Sequence, residues 1–344
     1  MEKKRTEIAS LGEFGLIDRL TGGFTAHNPT TVKGPGDDAA VIRIEGASEL
    51  TLLTSDLLLE GVDFDLSYFP LKHLGYKTVV VGCNDILAMN GLPRQLTLSL
   101  GISAKISVEQ LDELYEGVRT ACEELGVDLA GGDTTASVTG LAIGITVLGS
   151  VAPDRIVYRS GAKPNDLICI TNDLGAAYMG LHLLEREKRV LHDTANPQPK
   201  FEGYEYLLQR QLRPRAPIDV IRSLAEEKIL PTSMIDISDG LASDLLQLCK
   251  SSGCGARIYL DRLPIAKETY AMAEELHADP VVAALNGGDD NELLFTVPLE
   301  DQERIMRMGG AEVIGHITEA GTGAALVTPD GSTIPLKAQG FHGN

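Results

Sequence analysis

The chain has 344 residues, enough for two domains of ordinary size that each bury most of their apolar surface. Its 49 acidic residues outnumber its 30 basic ones, for a formal charge of −19, which excludes a general nucleic-acid binder and a protein held on anionic lipid by a basic face. Hydrophobic residues at 43% and charged residues at 23% exclude wholesale disorder.

Residues 1–5 are mostly charged and run into Thr6-Glu7-Ile8 without the apolar core of a secretory signal. The longest apolar runs, near 79–81 and 141–148, break well short of the ~20 residues that a membrane span requires. A soluble, cytoplasmic protein is expected. Strands are predicted over 49–54 and 94–101, with a helix over 72–90 between them that Gly91-Leu92-Pro93 stops. Ser107 and Gln110 have the spacing of a capping box, and Leu111, Leu114, Val118, Ala121, Cys122 and Leu125 follow at helical period, so 108–125 reads as a helix. A buried strand is predicted over 140–151. The proline-containing basic stretch 152–165 then separates a strand-rich half from one that opens with helices, dividing the chain into domains 1–152 and 153–344. Amphipathic helices are predicted over 175–189, 203–212 and 218–228, with an exposed loop at 196–199. A strand ending near Ile237, a helix over 241–251 and a strand over 256–260 follow. The alternation argues an α/β (α+β) fold, and no repeat period supports a solenoid or propeller. Five scattered cysteines, none in Cys-x-x-Cys spacing, read as reduced core residues.

Aspartates recur at strand ends and in glycine-containing loops: Gly36-Asp37-Asp38-Ala39, Thr54-Ser55-Asp56, Asn84-Asp85, Gly131-Gly132-Asp133-Thr134-Thr135, Asp236-Ile237-Ser238-Asp239-Gly240 and Gly287-Gly288-Asp289-Asp290. One such loop is usually an Asx-turn or a helix cap, but the set suggests convergence. Asp85 stands inside the apolar run 78–89, where an unpaired carboxylate costs several kcal/mol to bury. Unless it faces solvent or pairs with Lys or Arg, a cation belongs beside it. Basic residues are scarce near these motifs and no histidine adjoins one, so the oxygen donors favour Mg²⁺ over zinc or iron. Nucleotide phosphates are the obvious client of a magnesium cluster.

Common nucleotide folds fail on inspection. Gly-x-x-x-x-Gly-Lys-Ser/Thr is absent, Gly34-Pro35-Gly36 lacks the third glycine of a dinucleotide fingerprint, and the protein-kinase motifs are missing. Ser160-Gly161-Ala162-Lys163 matches the Ser-x-x-Lys string of penicillin-binding enzymes without its companion strings.

Taken in order, the motifs resemble those of the thiamine-monophosphate kinases. The likeness runs from Gly12-Glu13-Phe14 through the aspartate motifs and Arg159-Ser160-Gly161-Ala162-Lys163-Pro164 to Gly288-Asp289-Asp290-Asn291-Glu292-Leu293-Leu294-Phe295. That family belongs with aminoimidazole-ribonucleotide synthetase, selenophosphate synthetase and the hydrogenase-maturation dehydratase. The resemblance implies two α/β domains, an N-terminal ATP and magnesium domain whose sheet pairs into a shared barrel in a homodimer, and a C-terminal domain that completes the nucleotide and substrate site. It also implies magnesium ligands at Asp38, Thr54, Ser55, Asp56, Asp85, Asp133, Asp236 and Asp239. ATP contacts are implied at Gly132, Asp133, Arg159, Ser238 and Tyr115, and thiamine monophosphate contacts at Asp63, Asp289 and Phe341. The chain departs from the family in carrying Asp289 for Glu and Asn291 for Tyr, and in Asn90, which reads as a changed helix end.

In such a reaction the acceptor is a phosphate monoester with a second pKa of ~6, already largely a dianion at pH 7. No general base is then needed. Repulsion between two anions is the obstacle, so Asp85 and Asp133 holding metals, with Arg159 steadying the nucleotide, would carry a direct in-line transfer. The rival readings are a sibling ATP-dependent synthetase, aminoimidazole-ribonucleotide synthetase above all, and a non-catalytic acidic metal-binding protein.

Overall fold

The computed structural model describes Glu7, residues 10–193 and residues 200–338; the side chains of 191–193 are not described. The expected loop 196–199 and the expected substrate contact Phe341 lie outside these residues. The first half holds α1 (Gly12–Thr21), β1 (Thr31–Lys33), β2 (Ala40–Ile42), β3 (Leu50–Leu59), α2 (Leu71–Ala88), β4 (Leu92–Ser103), α3 (Val108–Leu125), β5 (Asp128–Ser137) and β6 (Ala142–Val151). Its six strands form one sheet in the order β1-β2-β3-β6-β4-β5, with β4 and β5 parallel and the other pairs antiparallel.

The second half holds β7 (Leu167–Thr171), α4 (Ala176–Asp193), α5 (Glu205–Leu212), α6 (Ile218–Glu226), β8 (Ser233–Ile237), α7 (Leu241–Ser252), β9 (Gly255–Tyr259), α8 (Lys267–Leu276) and α9 (Pro280–Asn286). It ends with β10 (Glu292–Val297), α10 (Gln302–Met308), β11 (Ala311–Thr318), β12 (Ala324–Val327) and β13 (Thr333–Pro335). Its strands form a second sheet, β13-β12-β9-β11-β7-β10-β8. The mixed α/β character is as expected.

Helix α2 is the axle. It packs on α3, β3 and β6 of its own half and on β8, β10 and α5 of the other. Apolar residues occupy nearly every face of it, as a helix buried all round requires. The close fit of α2 on α3 is set by glycine: a Cβ at Gly117 would stand 1.8 Å from the Lys72 carbonyl oxygen. The capping box of α3 forms as predicted, with Gln110 N–H on Ser107 Oγ at 3.3 Å and Ser107 N–H on Gln110 Oε1 at 2.9 Å.

Two boundaries differ from expectation in ways that matter. Helix α2 ends at Ala88 because Asn90 turns left-handed (φ 58°) and its side-chain amide donates to the Arg155 carbonyl at 2.7 Å. Pro93, expected to stop the helix, already lies in β4, where a bulge between Pro93 and Gln95 accommodates its missing N–H. Strand β3 continues past Thr54 to Leu59, and Gly131-Gly132-Asp133 lies within β5. The first motif is thus inside a strand and not at its end, and the second is not a loop. Gly132 is required there because a Cβ would meet the Leu98 carbonyl oxygen of the neighbouring strand at 2.0 Å.

Candidate functional site

The acids meet where α2 passes between the two sheets. On β3 the side-chain period of two puts Thr54 and Asp56 on the face toward α2. The Thr54 hydroxyl donates to the carboxylate of Asp85, near the C-terminal end of α2. Asp236, at the end of β8, and Asp38, between β1 and β2, approach from the other sides. One carboxylate oxygen from each of Asp38, Asp85 and Asp236 lies within 4.8 Å of the others. They line a cavity of about 200 Å³ together with Asp56, Asp239, Ser238, Arg159, Glu13 and Phe14.

Among the described residues Arg159 is the cation that lines this cavity, while Lys33 reaches Asp37 Oδ2 at 3.5 Å from outside it. Its Nε and Nη2 donate to Asp38 Oδ1 at 3.1 and 2.7 Å, its backbone N–H donates to Asp37 Oδ1 at 3.0 Å, and its guanidinium lies over the Phe14 ring. One guanidinium does not balance the acids around it. Burial pushes the Asp38 carboxyl up to about 7, with Arg159 opposing and Asp236 adding to the rise. Burial likewise lifts Asp56 to about 6 and Asp236 to about 6. Asp85 is driven well above the usual carboxylate range by burial and by Asp56, Asp236 and Asp38. Asp38 Oδ2 and Asp56 Oδ2 are buried without a hydrogen-bond partner. Orphaned carboxylate oxygens, a convergent all-oxygen donor set and excess negative charge fit a hard divalent cation such as Mg²⁺.

A larger cavity of about 480 Å³ opens from the same point, sharing Asp56, Ser238 and Asp239 and reaching Asp63, Lys77 and Asp289. Asp63 Oδ2 accepts from the Leu59 N–H at 2.7 Å. Its carboxyl is raised by burial, and neighbouring Asp289 adds to the rise. Asp289 has a left-handed backbone (φ 62°), and its N–H donates to the Ser238 carbonyl at 2.7 Å. Behind this loop, Asp290 takes the Gly175 N–H at 3.0 Å, and Glu292 takes Arg210 Nη1 at 2.6 Å. These buried ties fix where the loop stands.

The structure does not gather every expected residue within one chain. Ser55 is on the sheet face opposite Thr54, with its hydroxyl 3.1 Å from Thr146 Oγ1. Strand parity is the reason: in a loop three consecutive residues can converge, but in a strand the middle one points away. Asp133 pairs in register with Ser99, which puts it on that same uncovered face, exposed. Two strands separate β5 from β3, so Gly132 and Asp133 stand roughly 14 Å across the sheet at a strand spacing of ~4.8 Å. Tyr115 lines a separate cavity of about 500 Å³ between α3 and β5.

Sequence reasoning passed over Glu13 and Phe14 as site residues, and also the aromatic wall Tyr68 and Phe69, Lys77, and Asp244. The last is buried on α7 with one oxygen unpartnered. Lys77 carried a signal: it stands immediately before the apolar run 78–89 that made Asp85 conspicuous.

Residues 36–151 match the family described as AIR synthase related protein, N-terminal domain, and residues 163–328 match its C-terminal domain. The fold and the acidic site thus define a two-domain protein of the AIR synthase class. Within that class the chain is 36% identical over 85% of its length to a thiamine-monophosphate kinase of Aquifex aeolicus (strain VF5), covering 88% of that relative. It is 31% identical over 96% of its length to the thiamine-monophosphate kinase of Bacillus subtilis (strain 168), covering 99% of it. A solved structure described as AaThiL complexed with AMPPCP and TMP superposes with a TM-score of 0.82 at 32% identity, covering 99% of this chain and 100% of that one. The chain belongs to the thiamine-monophosphate kinase family.

Proposed function

We infer that this kinase transfers the terminal phosphoryl group of ATP to the phosphate of thiamine monophosphate, forming thiamine diphosphate, at the junction of the two cavities. The observation that carries the reading is the meeting of the Asp38, Asp85 and Asp236 carboxylates, within 4.8 Å of one another, in the smaller cavity, which shares Asp56, Ser238 and Asp239 with an acidic pocket walled by Tyr68 and Phe69. Asp38, Thr54, Asp56, Asp85, Asp236 and Asp239 would hold Mg²⁺. When bound, such ions screen the repulsion between donor and acceptor phosphates. Arg159 and Ser238 steady the nucleotide. No residue is required as a base, because the acceptor is already an anion. Asp63 and Asp289, beside Tyr68 and Phe69, suit the cationic thiazolium ring.

The same reading includes a homodimer. Helix α2, with α3 packed on it, covers one face of the first sheet. The other face exposes Leu57, Leu59 and Leu148 along with Ser55, and β5 is a ten-residue edge strand exposed over nearly its whole length. An exposed edge and apolar face of this size call for a partner surface. A second copy would bring Ser55, Gly132, Asp133 and the Tyr115 cavity to the site. The division into 1–152 and 153–344 and a cytoplasmic location belong to this reading; among the described residues no helix is long and apolar enough to cross a membrane. Incubation with ATP, Mg²⁺ and thiamine monophosphate should give ADP and thiamine diphosphate in equal amounts. No ADP above a protein-free control would remove the proposal.

A further inference from the structure

The larger cavity is lined by carboxylates, yet one ammonium is built into its wall. Lys77 projects from α2 with a side chain only 3% exposed, against 38% for the Asp289 side chain it contacts. Its Nζ donates to the Asp289 carboxylate and, at 3.1 Å, to the Gln211 carbonyl oxygen on α5, and it lies 5.6 Å from the centre of the Phe69 ring. Two of the three donors of the ammonium are thus taken up by the protein, and the Phe69 ring lies beside it.

Asp289 itself is placed by few other contacts. Its left-handed backbone hangs from the Ser238 carbonyl, and Asn291 Nδ2 stands 3.5 Å from its second carboxylate oxygen. A half-buried aspartate in a loop still has several rotamers open to it, and a buried charged donor selects one of them. Lys77 stands eight residues before Asp85 on the same helix, about 12 Å along its axis. A single rigid element therefore carries both Asp85, in the smaller cavity, and Lys77, in the larger one where Asp289 projects.

We propose that Lys77 is a positioning residue for the acceptor: it fixes the Asp289 carboxylate at a set distance from the Asp85 end of the site and so determines how the cationic part of the acceptor is held. The proposal rests on reading this cavity as the thiamine monophosphate site. Lys77 reaches from the first half of the chain to α5 and to the loop before β10 in the second, so the register between the halves enters acceptor recognition directly.

The test is steady-state kinetics on the full-length protein with ATP and thiamine monophosphate varied separately. Lys77→Met, which keeps most of the buried stem, should raise the KM for thiamine monophosphate roughly tenfold or more, with kcat and the KM for ATP little changed. In an Asp289→Asn background the same change should add less than about twofold, because the two residues act through one contact. An unchanged or lowered acceptor KM, or an equal effect in both backgrounds, overturns the proposal. Should Lys77→Met not fold, Lys77→Arg reads the same contact: its wider planar head displaces Asp289, so the acceptor KM must rise alone, and an unchanged KM is again decisive against it. Failure of the wild-type protein to make thiamine diphosphate would instead count against the reading of the site.

Discussion

The hydroxyl of Thr54, in the middle of a strand, donates to the carboxylate of Asp85, near the end of the helix that packs on that strand. It is the hydrogen bond that orients Asp85, whose other close neighbours are the carboxylates of Asp56, Asp236 and Asp38. Sheet and helix are thereby locked to each other at the point where charge must be handled.

Replacing Thr54 with valine keeps the shape and removes the donor. The fold should persist, and the Mg²⁺ concentration for half-maximal turnover should rise by roughly tenfold, the worth of one hydrogen bond to a charged group. A magnesium titration of turnover measures this, and an unshifted midpoint would mean that Asp85 is oriented without Thr54.

Asp85→Asn and Asp133→Asn should each lose most turnover, at least roughly a hundredfold, while circular dichroism stays that of the wild type. Because Asp133 lies across the sheet from the cluster, the two variants should complement each other. After co-refolding, mixed dimers with one intact site should regain about a quarter of wild-type activity if pairing is random and each site combines residues of both copies. Absence of any regain would argue for sites confined to single chains.

The carboxyls of Asp38, Asp56 and Asp236 stand at about 7, 6 and 6, above their usual value near 3.8. Between pH 4 and 7 the folded chain therefore binds more protons at these groups than the unfolded chain does, so their contribution to stability falls as pH rises. Without metal, the melting temperature should drop across this window, and Mg²⁺ should restore it most at the alkaline end, where the ligands are ionised. Differential scanning fluorimetry with and without Mg²⁺ checks the sign; a metal effect largest at pH 5 would contradict it.

Asp289→Glu extends the carboxylate by one methylene past Lys77 into the cavity. Turnover should be similar and the KM for thiamine monophosphate equal or lower. A tenfold rise in that KM would show that the pocket has been reshaped around the shorter side chain.

Much of this was legible in the order of residues. Helical period and the Ser107 to Gln110 cap defined α3, β-rich and apolar runs marked the strands, and acids at strand ends, in glycine-containing loops or in an apolar run suggested a convergence that Asp38, Asp85 and Asp236 make. Those inferences succeed because propensity, capping and the cost of burying charge act over a few residues. The face on which a side chain emerges is a different matter. Thr54-Ser55-Asp56 reads as the end of a strand from sequence, yet it lies in the middle of β3 and splits, with Ser55 sent to the far face by a period of two. Asp133 was grouped with acids that the strand order holds two strands away from it. Lys77 drew no notice, because its partners, Gln211 and Asp289, are 134 and 212 positions downstream. Local chemistry names the residues a site needs; only the packing of α2 between two sheets decides which of them meet, because pairings between distant segments are set by the whole core and by no stretch of it.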